Sequence, residues 1–353
     1  MDFKDYFVPY RKEIDSFLTD FFLKESKKAG QITPAGEDLL KKLEGLIGGG
    51  KRIRGGLVKL GYECFKKDKG LILPIAAAVE ITQGAILVHD DIIDQSPLRH
   101  GHPTVHQKYE TYHRKNYRKG NALHYGESMA IVVGIAGYYS ALRLLIGSKF
   151  DDRLIKLAVD ELARFMSETC FGEALDVDLA YHDKIKEKEV LTIHSLKTAQ
   201  YTLVGPLRIG GILAGASEKQ LKSFSDFGVP VGVAFQLQDD ILGMFGASEK
   251  TGKPVDDDIK EGKNTLLYTK AFEKGTASQK KRLVQLWGKK EITKEEFSQA
   301  QKIITTTGSL DYSKALARKL VEKGSGFIPA LTRDKSLQEV FITLTDFIIA
   351  REK

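Results

Sequence analysis

Apolar residues recur along this chain at spacings of three and four, the period of a helix with one buried face, and strand-like alternation is nearly absent. The pattern predicts long helices over Leu71 to Ile93, Ala122 to Leu145, Asp151 to Asp178, Glu187 to Ala214 and Glu218 to Phe245. Small residues dot these stretches, among them Gly84, Ala85, Gly134, Ala136 and Gly137, and they allow close helix packing around a cavity. Breaks fall at Ile47 to Gly50, at Ser96 to Pro103 and at Gly246 to Lys263, where glycine, proline and polar residues interrupt the period. The stretch from Gln107 to Gly120 is polar, basic and tyrosine-rich, and reads as a connecting excursion. Shorter amphipathic helices are expected after Gly262. With no internal repeat and no long linker, the expectation is one all-α domain over residues 1–353, a bundle of long helices around a central cavity.

Composition narrows the setting. Hydrophobic residues make up 42% of the 353, enough for a sizeable core. Cys64 and Cys170 match no metal or redox spacing, which predicts free thiols and a cytoplasmic location. Met1 to Asp20 is charged throughout, unlike a signal peptide. The longest apolar run, near Met129 to Gly137, falls short of the roughly 18 residues a membrane span needs, so none is expected. The net charge of +7 comes from 54 basic residues interspersed with 47 acidic ones, and no basic helix is interleaved with stacking aromatics. That argues against a nucleic-acid partner and suits an anionic substrate such as a diphosphate.

The sharpest chemistry lies in Leu87-Val88-His89-Asp90-Asp91-Ile92-Ile93-Asp94, at the end of an otherwise apolar helix. Asp90 and Asp94 are four residues apart, so their carboxylates share one helix face and repel. They also sit where the helix dipole disfavours negative charge. A bound cation would compensate, and oxygen-only ligands point to magnesium, which keeps waters and bridges to phosphate. A second helix carries Phe235-Gln236-Leu237-Gln238-Asp239-Asp240, again paired carboxylates in an apolar stretch. Two such helices facing each other across a cavity would clamp a diphosphate through several metal ions. Basic residues fall in matching places: Lys51 and Arg54 after Gly49-Gly50, Arg99 after the first acidic cluster, Lys197 on a third helix, and Lys253 and Lys263 after the second cluster.

In this order, the motifs resemble those of the trans-polyprenyl diphosphate synthases, the family of farnesyl and geranylgeranyl diphosphate synthases. The resemblance runs from about Gly49 to Lys263 and rests on Gly50 to Arg54, Asp90-Asp91-x-x-Asp94 with Arg99-His100-Gly101, Lys197-Thr198, Gln236-x-x-Asp239-Asp240, and Gly252-Lys253 with Asp258 and Lys263. It implies an isoprenoid synthase-type fold and a magnesium-dependent prenyltransferase that condenses isopentenyl diphosphate with an allylic diphosphate. It further implies that Asp90 and Asp94 ligate two magnesium ions and Asp239 a third, supported by Asp91 and Asp240. Arg99, Lys197 and Lys253 match allylic diphosphate contacts. Lys51, Arg54, Gln83 and His100 match the isopentenyl diphosphate site, Thr198 and Gln236 match groups facing the developing allylic cation, and Lys263 matches a closing loop. A homodimer follows by the same analogy.

The chain departs from the family pattern in places. His100 replaces the usual second arginine, Gly243 replaces the last aspartate of the second motif, Gly126-Glu127 replaces Gly-Asp, and the connection from Gln107 to Tyr125 is long. Ala85 and Ile86 precede Asp90 where aromatic side chains stop growth at farnesyl diphosphate in the family. Neither is aromatic, which predicts geranylgeranyl diphosphate, with Ala85→Phe expected to shorten it. Farnesyl or longer polyprenyl products, a terpene cyclase and a non-catalytic partner subunit are the competing readings. The second motif lacks the Asn/Asp, Ser/Thr and Glu of cyclases, and the first keeps the three aspartates that silent subunits usually lose.

Overall fold

Residues 2–99, 101–182, 184–246 and 257–350 are described by the computed structural model, and His100 and Lys253 therefore lie outside the described residues. The helical period is realised as α1 (Phe3–Ile32), α2 (Pro34–Ile47), α3 (Ile53–Glu63) and α4 (Leu73–Ile93). A short antiparallel hairpin follows, β1 (Leu98–Arg99) against β2 (His102–Pro103). Then come α5 (Val105–Asn116), α6 (Ala122–Ile146), α7 (Asp152–Leu179), α8 (Glu187–Ile193), α9 (Gly205–Leu213) and α10 (Glu218–Phe245). Shorter helices continue from Asp257 to Ala350. The fold is all-α, as the sequence predicts.

Two elements differ from expectation. The expected helix Glu187 to Ala214 is not one regular α-helix: His194–Val204 is π-helical, between α8 and α9. Hydrophobic period cannot reveal this, because the wider π turn leaves the flanking apolar spacing nearly intact. Such stretches concentrate at functional sites. The polar excursion Gln107 to Gly120 is mostly helical, as part of α5, because its tyrosines and His113 supply the apolar face that aliphatic residues supply elsewhere.

The chain forms two compact units, one of residues 4–160 and 209–216, the other of residues 1–3, 161–208 and 217–353. In the first, α4 is the central helix: every residue from Ile75 to Thr82 is buried. Helices α2, α3 and α6 pack around it. Its contact with α6 depends on small residues, since a Cβ on Gly137 would stand 2.9 Å from the Ala85 Cβ. In the second unit α10 is central and buries Leu221, Phe224, Phe227, Val231, Leu237 and Ile241 at helical spacing. It opens with a capping interaction in which the Ser217 N–H donates to Gln220 Oε1 at 2.8 Å.

Among the described residues, α6 is the one helix long and apolar enough to cross a membrane by length and composition, a test that the core helix of a soluble protein also passes. Its small residues Gly126, Ala130, Gly134, Gly137 and Ala141 are buried. An opposite stripe of Ile131, Val132, Ile135 and Tyr139 is exposed. Cys64 and Cys170 are free thiols.

Candidate functional site

The first acidic motif is fixed by how α4 ends. Asp94 is the C-cap, Gln95 follows at φ 52, the Ser96 N–H donates to Asp91 O at 2.9 Å and the Gln95 N–H to Ile92 O at 3.1 Å. These bonds make a Schellman stop. The left-handed conformation is one that glycine adopts freely and glutamine only with strain. Among the described residues Gln95 and Arg52 are the two non-glycine residues with positive φ, and each flanks a motif singled out from the sequence. Strain of this kind gathers at functional sites.

The hairpin then returns Arg99 to the helix end. Its Nε donates to Asp91 Oδ1 at 2.6 Å and its Nη2 to Asp90 Oδ2 at 3.1 Å. Burial opposes the guanidinium charge, but Asp91 and Asp90 outweigh it and hold Arg99 above its ordinary range. The adjacent aspartates thus divide their work. Asp91, its side chain 1% exposed, is taken up with Arg99, whereas Asp90 and Asp94 remain half-buried at the helix end. His89 turns away to α6, where its ring lies in the notch at Gly134 and its Nε2 donates to Ile131 O at 3.1 Å.

Upstream, Lys51 is exposed and Arg54 half-buried, on either side of the α3 N-terminus. Two residues missed in the sequence hold this loop. Arg52, the α3 N-cap, is buried and donates from Nε to Asp15 Oδ1 and from Nη1 to Ile47 O, both at 2.7 Å, with Glu80 Oε2 3.8 Å away. Glu80 in turn accepts the Gly55 N–H at 2.8 Å, satisfying an open donor of the first turn of α3. Burial pushes the Glu80 carboxyl up, while the Gly55 N–H, Arg54 and Arg52 pull it down. The signal was legible, because Glu80 is the lone charge in the apolar run from Leu71 to Val88. Gln83, one turn on, keeps its buried Oε1 without a hydrogen-bond partner among the described residues.

In the other unit the π-helical stretch presents Lys197 and Thr198. It lies close against α7 at Gly172, where a Cβ would stand 2.7 Å from the Lys197 amide nitrogen, and against α10 at Gly232, where one would stand 2.5 Å from Ala199. Lys197 Nζ pairs with Glu173 at 2.7 Å and Asp176 at 3.0 Å. These two acids share a face of α7 at a spacing of three, a signal the sequence contained. Thr198 Oγ1 donates to Gln236 Oε1 at 2.8 Å, and Gln236 Nε2 donates to Asp240 Oδ1 at 2.9 Å. His194 Nε2 lies 3.3 Å from the other Asp240 oxygen. Asp240 is therefore buried within a protein network, and Asp239 beside it is half-buried.

Gly243, which replaces an aspartate in the second motif, does not leave its place empty of carboxylate. Asp258 sits where a side chain at 243 would stand. Burial pushes the Asp258 carboxyl up, Lys263 Nζ at 3.2 Å opposes that, and Asp240 adds to the rise. Lys263 also pairs with Glu261 at 2.9 Å.

The chain matches the family model for polyprenyl synthetases over residues 37–304. It is 34% identical over 319 residues to the geranylgeranyl diphosphate synthase of Methanosarcina mazei, covering 90% of each chain. It is 29% identical to the geranylfarnesyl diphosphate synthase of Aeropyrum pernix, covering 96% of this chain and 99% of that one. A solved structure of geranylgeranyl pyrophosphate synthase from Corynebacterium glutamicum, complexed with isoprenyl diphosphate and magnesium, superposes with a TM-score of 0.92 at 28% identity, over 97% of this chain and 99% of that one.

Proposed function

Because the chain belongs to the polyprenyl synthetase family, we propose that it is a trans-prenyltransferase joining isopentenyl diphosphate to an allylic diphosphate to give geranylgeranyl diphosphate. The observation that carries this reading is the end of α4, where Arg99 brings one positive charge to the three carboxylates of Asp90, Asp91 and Asp94. The donor set fits magnesium: the groups at the end of α4 are carboxylate oxygens, with Asp90 and Asp94 half-buried there. Asp90 and Asp94 would hold it there, and Asp239 would hold a further ion. When bound, magnesium neutralises charge on the leaving diphosphate.

The protein's own groups do the rest. Arg99 and Lys197 bind the allylic diphosphate, with Lys253 as a third contact, while Lys51, Arg54, Gln83 and His100 hold isopentenyl diphosphate, and Lys263 closes over the site. Carboxylates now paired with Arg99 and Lys197 keep both cations placed until an anion arrives. The allylic C–O bond breaks, the cation alkylates the double bond of isopentenyl diphosphate, and the proton lost passes to the released diphosphate. Asp240 fixes the Gln236 amide so that its carbonyl faces Thr198; the Thr198 proton is thereby committed, which leaves its oxygen lone pairs for the developing cation.

His194 stands behind this relay as a positioning residue. His194→Leu should lower kcat about tenfold, the lower end of what losing an outer-shell partner costs, and leave KM for isopentenyl diphosphate within twofold. Combined with Gln236→Leu it should add little. Multiplying effects in the double variant would remove His194 from the relay.

Product length follows from α4. Ile86 is four residues before Asp90 and shares its face, whereas Ala85 is turned to Gly137 of α6 and is fully buried. A ring at 85 would overpack that contact by about 1–3 kcal/mol. The test of the floor therefore moves from Ala85 to Ile86. Incubation with isopentenyl diphosphate and each primer, with products sized by chromatography, should give the C20 product for the wild type and mainly C15 for Ile86→Phe. A C25 wild-type product would favour the geranylfarnesyl reading, and an unshortened product in Ile86→Phe would place the floor on another helix.

The assembly proposed is a cytoplasmic homodimer, formed as one polyprenyl synthetase domain per chain. The exposed stripe on α6, Ile131, Val132, Ile135 and Tyr139, supports it as the surface a second copy would cover.

A further inference from the structure

The basic segment 107–121 has no part in the reaction above, and we propose that it is a docking platform for an anionic lipid bilayer. Lys108, Arg114, Lys115, Arg118 and Lys119 stand against the single acid Glu110, so four of the chain's seven net positive charges fall on these fifteen residues. Residues 114–121 are all exposed. Arg114 pairs with Glu110 at 2.6 Å, while Lys115, Arg118 and Lys119 form no ion pair among the described residues. Tyr112 and Tyr117, 47% and 48% exposed, stand among them. Tyrosine beside lysine and arginine suits the headgroup layer, where the ring is half solvated and the cations meet anionic lipid.

The segment is built to hold this display in place. Tyr109 donates to Asp38 Oδ2 at 2.8 Å and carries Lys42 Nζ 4.3 Å over its ring. The His113 ring packs on Tyr117 at 5.4 Å and on Tyr125 at 5.0 Å. An aromatic cluster thus fixes α5 to α2 and α6, and the cations project from a rigid base. A bilayer is favoured over nucleic acid because exposed Leu123 continues the surface into α6 with an apolar side chain. The rationale also draws on the proposed activity: a prenyl diphosphate has an apolar tail, and a bilayer is where a reaction consuming it would find it.

Sedimentation with vesicles tests the platform without reading activity. Wild type should pellet with phosphatidylcholine vesicles containing 30% phosphatidylglycerol, should not pellet with phosphatidylcholine alone, and should be released by 0.5 M salt, as screening requires. Each basic residue near such a surface contributes about fivefold in affinity, so the Lys115→Gln, Arg118→Gln, Lys119→Gln variant should bind about a hundredfold more weakly. A control variant, Lys66→Gln, Lys67→Gln, Lys69→Gln, removes equal charge elsewhere and should bind within a few-fold of wild type. Turnover in vesicle-free solution should be unchanged in both variants. Equal losses in the two variants would reduce the effect to net charge and overturn the proposal. So would wild type failing to pellet with the anionic vesicles, or a platform variant that loses poly(U) binding while keeping vesicle binding.

Discussion

Asp90→Ala should lower kcat/KM by about three orders of magnitude, roughly 4 kcal/mol of barrier, while leaving the fold intact. The two halves of this expectation come from one piece of geometry. Asp90 and Asp94 share a face at the α4 C-terminus, where like charges repel by a few tenths of a kcal/mol and the helix dipole disfavours both. Removing one carboxylate relieves that cost. The substitution also loses the 3.1 Å contact to Arg99, but Arg99 keeps Asp91 at 2.6 Å, so the hairpin stays anchored. Thermal unfolding should therefore fall within a few degrees of wild type. Activity near normal in Asp90→Ala would refute the metal role, and a large drop in melting temperature would show that the acid serves the fold.

Arg52→Ala should destabilise the first unit by about 3–5 kcal/mol, measured by equilibrium unfolding. The Arg52 side chain is 5% exposed and that of Glu80 6%. Deleting the guanidinium would leave the Glu80 carboxylate buried with less compensation, together with Ile47 O deprived of a donor. Arg52 also holds φ 54, which alanine tolerates no better than arginine, so the substitution isolates the side chain's contribution. Arg52→Gly should recover about 1 kcal/mol relative to Arg52→Ala by removing the backbone strain. Glu80→Gln in the Arg52→Ala background should recover more, because it removes the stranded charge. Because Lys51 and Arg54 flank this anchor, KM for isopentenyl diphosphate should rise in the same variants. Stability of Arg52→Ala within 1 kcal/mol of wild type would refute the anchoring role.

Much of the architecture was legible in the residues because burial leaves a periodic trace. The helix Glu218–Phe245 has the bounds its pattern predicts, and α4, α6 and α7 differ from prediction by one or two residues. The π-helical stretch was not legible, because period reports which face is buried and not the hydrogen-bond register. The α5 helix was missed for a different reason. Its buried face is made of Val105, His106, Tyr109 and His113, and within the polar stretch that means a tyrosine and a histidine, residue types that read as polar when their packing partners on α2 and α6 are unknown.

The site divides in the same way. Helix spacing pointed to Asp90 and Asp94, and the second pair of adjacent carboxylates to Asp239, whereas Arg99, Lys197, Thr198 and Gln236 took their expected roles from the order of motifs that resembles the family. Arg52 and His194, which help to hold the site, act through partners far away in sequence, as in the Arg52–Asp15 and His194–Asp240 pairs, and no local spacing marks such contacts; Glu80 stood out only as a lone charge in an apolar run. Gly243 shows the limit most plainly. Read alone it is a lost carboxylate; in space Asp258 fills its place.

The central claim is that carboxylates at the ends of α4 and α10 hold magnesium for diphosphate departure, and release of inorganic diphosphate from an allylic diphosphate plus isopentenyl diphosphate tests it most directly. Magnesium-free wild-type protein should release none above background, added magnesium should restore release together with a longer prenyl diphosphate, and Asp90→Ala and Asp239→Ala should each stay near background at any magnesium concentration. Full release by the metal-free protein, or wild-type rates in both aspartate variants, would contradict the account.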